Sequence, residues 1–145
     1  MIRSFQLADL DQVVSLENVA FAESAYGRFD FMYLLWRARD GFLVAKKEEK
    51  LVGYVIATGE GREGLIQSIA VSPEFRRKGI ADSLMRSAIG YLAKFEEIYL
   101  LVDSNNTAAI SLYHKFSFRE TGRIRRGYYR NGADAIEMAR ANRDG

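Results

Sequence analysis

Three cations and a glycine stand together at Arg76-Arg77-Lys78-Gly79, directly ahead of the run Ile80-Ala81-Asp82-Ser83-Leu84. From Ile80 the apolar residues fall into two rows, Ile80, Leu84, Ala88 and Leu92 beside Ala81, Met85 and Ile89. That is the spacing of a helix with one buried face. The first turn of such a helix carries unpaired N–H groups and the positive end of the helix dipole. Gly79 lets a ligand approach the backbone with no Cβ in the way, and the cations add charge where the donors converge. A phosphate or pyrophosphate suits this junction; so does the plainer reading of a charged, solvated loop leading into an ordinary helix. Neither G-x-x-x-x-G-K-[ST] nor G-x-G-x-x-G after a strand occurs; the pattern present is R-x-x-G-x-A over residues 76–81.

The elements that must hold this junction are legible on both sides. Leu65–Val71 is β-branched-rich and stops before Pro73, the single proline, which lacks an N–H and restricts Ser72; a strand is expected to end there. Ahead of it, Ile2–Phe5 reads as a short strand, and Asp9 is placed to cap a helix over Leu10–Phe21. Residues 23–30 read as a loop and 31–39 as a second short helix. Gly41–Lys46 and Leu51–Ala57 form a hairpin about a charged turn, and Thr58–Gly64, with three glycines, reads as a loop. Behind the junction, Ile98–Val102 is a continuous apolar run suited to a buried strand. Asp103–Asn106 offers caps for a helix marked by Ala108, Ala109, Leu112, Tyr113 and Phe116. Asn131-Gly132 then predicts a tight hairpin between strands at Phe118–Tyr129 and Ala133–Met138. The order β-α-α-β-β-β-α-β-α-β-β implies an α/β (α+β) architecture, with helices on both faces of a mixed sheet.

Composition bounds the function. A chain of 145 residues, about half apolar and with nine phenylalanines, implies one globular domain over residues 1–145. The absence of cysteine removes disulfides, thiolate metal sites and cysteine nucleophiles. No run is long enough to span a bilayer and the N-terminus lacks the apolar core of a signal peptide, so a soluble, cytoplasmic protein is expected, with no membrane partner. A net charge of +2 does not point to nucleic acid. No metal is expected.

The junction resembles the acetyl-CoA pyrophosphate loop of the GNAT superfamily of N-acetyltransferases, Q/R-x-x-G-x-G/A. A second segment, Asn106-Thr107-Ala108-Ala109-Ile110-Ser111-Leu112-Tyr113, is similar to the superfamily's N-x-x-A-x-x-L-Y. The run from Tyr128-Tyr129 to Met138 resembles the Y-Y-x-x-G-x-D-A-x-x-M tail of protein N-terminal acetyltransferases, a group that includes the ribosomal-protein-alanine acetyltransferases. Ala22-Glu23-Ser24 is similar, more weakly, to their P-E-N/S loop. The resemblance implies a GNAT fold with a mostly antiparallel sheet of six or seven strands, and acetyl-CoA as cosubstrate. It implies that Ile69, Ala70 and Val71 pair their backbone with the pantetheine arm. Arg76, Arg77, Lys78, Gly79, Ile80, Ala81 and Asp82 hold the pyrophosphate. Asn106 either hydrogen-bonds the arm or caps the helix. Tyr113 is either the acid that protonates the departing thiolate or a core aromatic. Tyr128 and Tyr129 line the acceptor site; on a strand they would face opposite ways, so at most one would touch substrate.

The chain departs from the family where a general base is expected. Many relatives carry Glu or His on the fifth strand, at the position of Leu101. Asp103 shares that face but reads as lying beyond the strand end, and Glu23 is either a base or an exposed loop carboxylate. Ser117 replaces the usual glycine before Phe118, at modest cost if that position needs φ > 0. His114, the single histidine, reads as a surface residue. The expected activity is acetyl transfer, by direct attack in a ternary complex, to a protein or peptide N-terminal α-amine, ribosomal proteins and ribosome association included. A small-molecule amine acetyltransferase and a non-catalytic acyl-CoA-binding module remain open on the same residues.

Overall fold

The structure, a computed structural model, describes residues 1–21, 33, 37–129 and 131–142. Seven strands form one sheet: β1 (Ile2–Ser4), β2 (Phe42–Lys47), β3 (Lys50–Glu60), β4 (Glu63–Val71), β5 (Glu97–Asp103), β6 (Arg119–Arg125) and β7 (Ala135–Ala141). Their order is β1-β2-β3-β4-β5-β7-β6. Every neighbouring pair is antiparallel except β4 and β5. Among the described residues the helices are α1 (Leu10–Phe21), α2 (Ile80–Tyr91) and α3 (Thr107–Lys115). The expected mixed, mostly antiparallel sheet with helices on both faces is what forms.

Helices cover the sheet from both sides because β3 is apolar on both of its faces. Tyr54 and Ile56 pack with Val13 and Leu16 of α1, while Val55 and Ala57 pack with Leu84, Met85 and Ala88 of α2. Gly53 allows α2 to come close: a Cβ there would lie 3.1 Å from Leu84 Cδ1 and 3.4 Å from Ile80 Cγ2. The start of α2 is thereby pinned over β3, beside the end of β4.

Two irregularities set the register. On β3, Val52 is extra where Ala45 pairs with Gly53 and Lys46 with Leu51. On β4, Gln67 is extra where Ile56 pairs with Ser68 and Ala57 with Ile66. Gln67 Nε2 donates to Thr58 Oγ1 at 3.2 Å and Ser68 Oγ meets Tyr54 Oη at 3.3 Å, so two consecutive side chains take the α1 face. A bulge does this: it bends the strand and switches which residues point each way.

Several sequence expectations are corrected. Residues 58–64 are not a loop; β3 and β4 run through them to a tight turn at Gly61-Arg62. Gly59 and Gly64 serve close packing rather than a turn, since a Cβ on Gly59 would fall 2.0 Å from the Phe95 ring and one on Gly64 would fall 3.2 Å from Leu92. Asn131-Gly132 does not join two strands directly. β6 ends at Arg125 and β7 begins at Ala135; the turn at Gly132 lies inside the connection, closed by Gly132 N–H to Tyr129 O at 2.8 Å. β5 extends to Asp103, which is therefore on the strand and not beyond it. The second helix expected at 31–39 lies largely outside the described residues. Ser117 takes φ 72°, the left-handed conformation foreseen for a glycine there.

Asp9 does not cap α1. It is buried at the end of the turn Leu7–Asp9 and reaches back to the Gln6 N–H at 2.8 Å. Its carboxylate receives Arg3 at 2.8 and 2.9 Å, with Lys46 3.7 Å away. The Arg3 guanidinium, and then the Gln6 N–H, hold this carboxyl below its ordinary value. A carboxyl depressed in the folded state stabilises the fold above its unfolded pKa of 3.8 and loses that contribution as pH falls through its folded value. Asp9→Asn should therefore cost roughly 1–3 kcal/mol in urea titrations near pH 7, and the gap to wild type should narrow below about pH 4.

Candidate active site

β4 and β5 pair over only four residues on each strand, from Glu63 with Glu97 to Ile66 with Leu100. β4 nevertheless continues to Val71, paired on its other side with β3 down to Gly53, and β5 continues to Asp103, paired with β7. Beyond the Gln67 bulge the two strands part, leaving a wedge in the middle of the sheet. In an antiparallel ladder alternate residues exchange bonds with the neighbour and the others turn N–H and C=O away. Along Ser68–Val71 those outward groups face the wedge. A polar extended ligand can pair with them as a strand would.

At the open end of the wedge the chain turns through Pro73–Phe75 into α2. Arg77 (φ 64°) and Gly79 (φ 80°) are both left-handed, and alternation of this kind makes a concave nest of N–H donors. No side chain caps α2, and the first bond across this end is Ser83 N–H to Gly79 O, which leaves the N–H groups of Ile80, Ala81 and Asp82 free of helical partners. A Cβ on Gly79 would meet nothing within 4 Å, so the seat opens outward. The three cations differ in their contacts. Arg76 turns back to Val71 O at 3.3 Å, Lys78 lies 5.4 Å over the Phe75 ring, and the Arg77 side chain makes no ion pair or hydrogen bond among the described residues. Asp82, in the first turn, is neutralised by an ion pair with Lys115 at the end of α3; nothing in the spacing of the two residues signals that link between helices.

On the other side of the wedge α3 follows β5. Asn106 is its N-cap, accepting Ala109 N–H at 3.1 Å, which settles the helix-capping alternative for its oxygen. Tyr113 is 6% exposed, edge-on to Phe118 with centroids 6.1 Å apart. Burial raises its pKa well above the ordinary phenol value, and Tyr129 adds to the rise. The phenol is thus neutral at any working pH and available as a donor. Tyr128 and Tyr129 do not sit on a strand. They lie in the β6–β7 connection with rings edge-to-face at 5.0 Å, so the opposed orientation expected of strand residues does not apply. Tyr128 is half exposed, under the Arg125 guanidinium at 5.8 Å, while Tyr129 is the inner ring, electrostatically coupled to Tyr113.

Leu101 lies on the α1-side face of β5, in direct register with Glu137 of β7. Asp103 is on the same face, its Oδ1 taken by the Asn105 N–H at 2.8 Å. His114 is at the surface against Glu120. Glu23 and the rest of its loop lie outside the described residues. No group of three or more His, Asp or Glu converges as a metal site among the described residues, and none of their helices is long and apolar enough to cross a membrane.

Comparison with known proteins decides what this wedge belongs to. The Acetyltransferase (GNAT) family profile matches residues 10–118. The chain belongs to the GNAT acetyltransferase family. It is 33% identical to an N-alpha-acetyltransferase of Saccharolobus solfataricus, over 96% of this chain and 91% of that one. It is 32% identical to a putative [ribosomal protein bS18]-alanine N-acetyltransferase of Bacillus subtilis, over 94% and 92%. The crystal structure of Ard1 from Thermoplasma volcanium superposes with a TM-score of 0.93 at 25% identity, over 99% and 98% of the two chains.

The protein is an acetyl-CoA-dependent N-acetyltransferase, and the cosubstrate fits what the residues offer: an open N–H seat at Gly79–Asp82 for diphosphate, and an unpaired strand edge for an amide-bearing arm. Gly79→Asp would put a carboxylate into that seat. Calorimetry should show CoA affinity falling by at least about tenfold, ~1.4 kcal/mol. Circular dichroism should show the fold retained, despite a cost of roughly 1 kcal/mol for a non-glycine residue at positive φ.

Proposed function

We propose that this acetyltransferase, as one domain over residues 1–145, acetylates the α-amine of protein or peptide N-termini in the cytoplasm. Ribosomal proteins are among its acceptors, met at the ribosome. The observation that carries the reading is the wedge between β4 and β5, with the α2 N-terminus at one end and the buried Tyr113 of α3 beside it. The names of the archaeal and Bacillus relatives support the acceptor class.

In this reading the N–H groups of Ile80, Ala81 and Asp82 hold the diphosphate, with Arg76, Arg77 and Lys78 supplying charge. The backbone of Ile69, Ala70 and Val71 pairs with the pantetheine arm, and the Asn106 amide meets it from α3. Tyr128 and Tyr129 orient the incoming peptide. The acceptor amine attacks directly in a ternary complex. Tyr113 gives its hydroxyl hydrogen bond to the departing sulfur. Its raised pKa keeps the proton in place until negative charge develops there. Glu23 serves as the base, through water.

The absence of a base at Leu101 bears on which amine is used. An α-amine has pKa ~7.7–8.0 and a lysine side chain ~10.4. Near pH 7 deprotonation costs roughly 1 kcal/mol for the first and about 4.6 kcal/mol for the second. A site without a strong base on β5 is suited to the smaller demand.

Two measurements test this. A peptide with a free N-terminus and no lysine should be used far better at about pH 7 than an N-blocked peptide with one lysine; comparable kcat/KM for the two would refute the assignment. Tyr113→Phe, which keeps the ring, should lower kcat by roughly 10²-fold while CoA affinity holds. A rate within a factor of about two would make Tyr113 a packing residue only.

A further inference from the structure

Across the sheet from Leu101 stands a carboxylate. Leu101 and Glu137 are direct partners in the β5–β7 register, so their side chains share one face with Cβ atoms roughly 4.5–5.5 Å apart. That face turns toward the α1 side of the sheet and is partly open: Tyr99, Leu101, Asp103, Glu137 and Ala139 are all only half-buried. β6 arches over Glu137. Its residues 121–123 occupy the span between the pairs Glu120–Met138 and Ile124–Ile136, where β7 has Glu137 alone. Irregular pairing of this sort re-aims side chains beside active sites.

The carboxylate is held by one oxygen. Thr121 Oγ1 donates to Oε1 at 2.8 Å, and Arg123 Nε is 4.0 Å from the same oxygen. No donor among the described residues reaches Oε2. The Arg123 side chain is 82% exposed while that of Glu137 is 15% exposed, so the arginine is solvent-screened and neutralises the carboxylate weakly. The other ionisable groups on this side are Tyr99, a phenol near Glu97 and Glu63 as well as Glu137, and Asp103, whose Oδ1 accepts the Asn105 N–H; of the carboxylates, Glu137 is the one in register with Leu101.

We infer that Glu137 receives the acceptor's α-ammonium on Oε2 and takes its proton, a weak carboxylate base meeting the smaller of the two demands. This rests on the α-amine transfer proposed above. One N–H bond of the ammonium breaks and an O–H bond forms on Glu137, which later returns that proton to solvent. The neutral nitrogen forms a bond to the acetyl carbon as the carbon–sulfur bond breaks. The nitrogen's second proton is lost through water, and the sulfur gains one from Tyr113, which is reprotonated from water. In sum, ammonium and thioester give amide, thiol and one released proton.

Glu137→Gln keeps the shape and the acceptor for Thr121 and removes the base. If Glu137 only ties β6 to β7, glutamine serves as well. The test measures kcat/KM for a free-N-terminus peptide at about pH 7 and about pH 9, either side of the α-amine pKa, with melting temperature and CoA affinity as controls. The inference requires a loss of at least about tenfold at the lower pH that shrinks at least about threefold at the higher, where the amine arrives already neutral. A smaller loss, or an equal loss at both pH values, overturns it. A wild-type enzyme inactive on every such peptide would instead fail the α-amine reading itself. If Glu137→Gln does not fold, Glu137→Asp carries the same test: with the carboxylate withdrawn by one methylene, the loss must again be larger near pH 7.

Discussion

The parallel ladder between β4 and β5 stops after Ile66 and Leu100, and everything functional depends on that stop. A sheet normally satisfies its backbone on both edges of every inner strand, because an unpaired buried N–H or C=O costs free energy. Here β4 keeps one edge unsatisfied from Ser68 onward. The bulge at Gln67 bends the strand away from β5 at that point. The vacancy is in the middle of the sheet, walled by α1 on one side and by α2 and α3 on the other. An extended ligand can therefore be bound by backbone geometry with little demand on side-chain identity.

Holding such a gap open requires rigid neighbours. β3 is apolar on both faces and is clamped by α1 and α2, so β4 remains ordered through its β3 pairing alone. The close approach of α2 over Gly53 fixes its N-terminus near the end of β4. On the far side β5 is held by seven register pairs with β7, and Arg140 of β7 bonds to Phe116 O at the end of α3. The wedge is a gap between two well-braced halves.

Electrostatics are arranged along the same axis. The outer end presents uncapped N–H groups and left-handed backbone at Arg77 and Gly79. Asp82, which would oppose an anion there, is neutralised by Lys115. The inner end is neutral and dry around Tyr113. Carboxylates, Glu137 among them, lie on the α1-side face of β5 and β7. The uncapped helix end, the buried phenol and the carboxylate come from three separate elements.

The sequence by itself determined the strand–junction–helix order around Gly79 and offered Asn106 as a candidate N-cap. Each of these is a local property, fixed by periodicity, capping chemistry or the sterics of a few adjacent residues. It also carried the family resemblance, since each motif is a short unbroken run of residues. Only the tertiary structure decided the rest. Gly59 and Gly64 read as loop residues, yet they are strand residues under Phe95 and Leu92, a fact set by packing partners some thirty residues away. Asp9 reads as a helix cap, yet it is drawn to Arg3 by a salt bridge that needs β1 in place. The bulge at Gln67 and the pairing of Leu101 with Glu137 both depend on strand register. Register is chosen by the whole sheet at once, because a slip of one residue would turn every side chain to the other face.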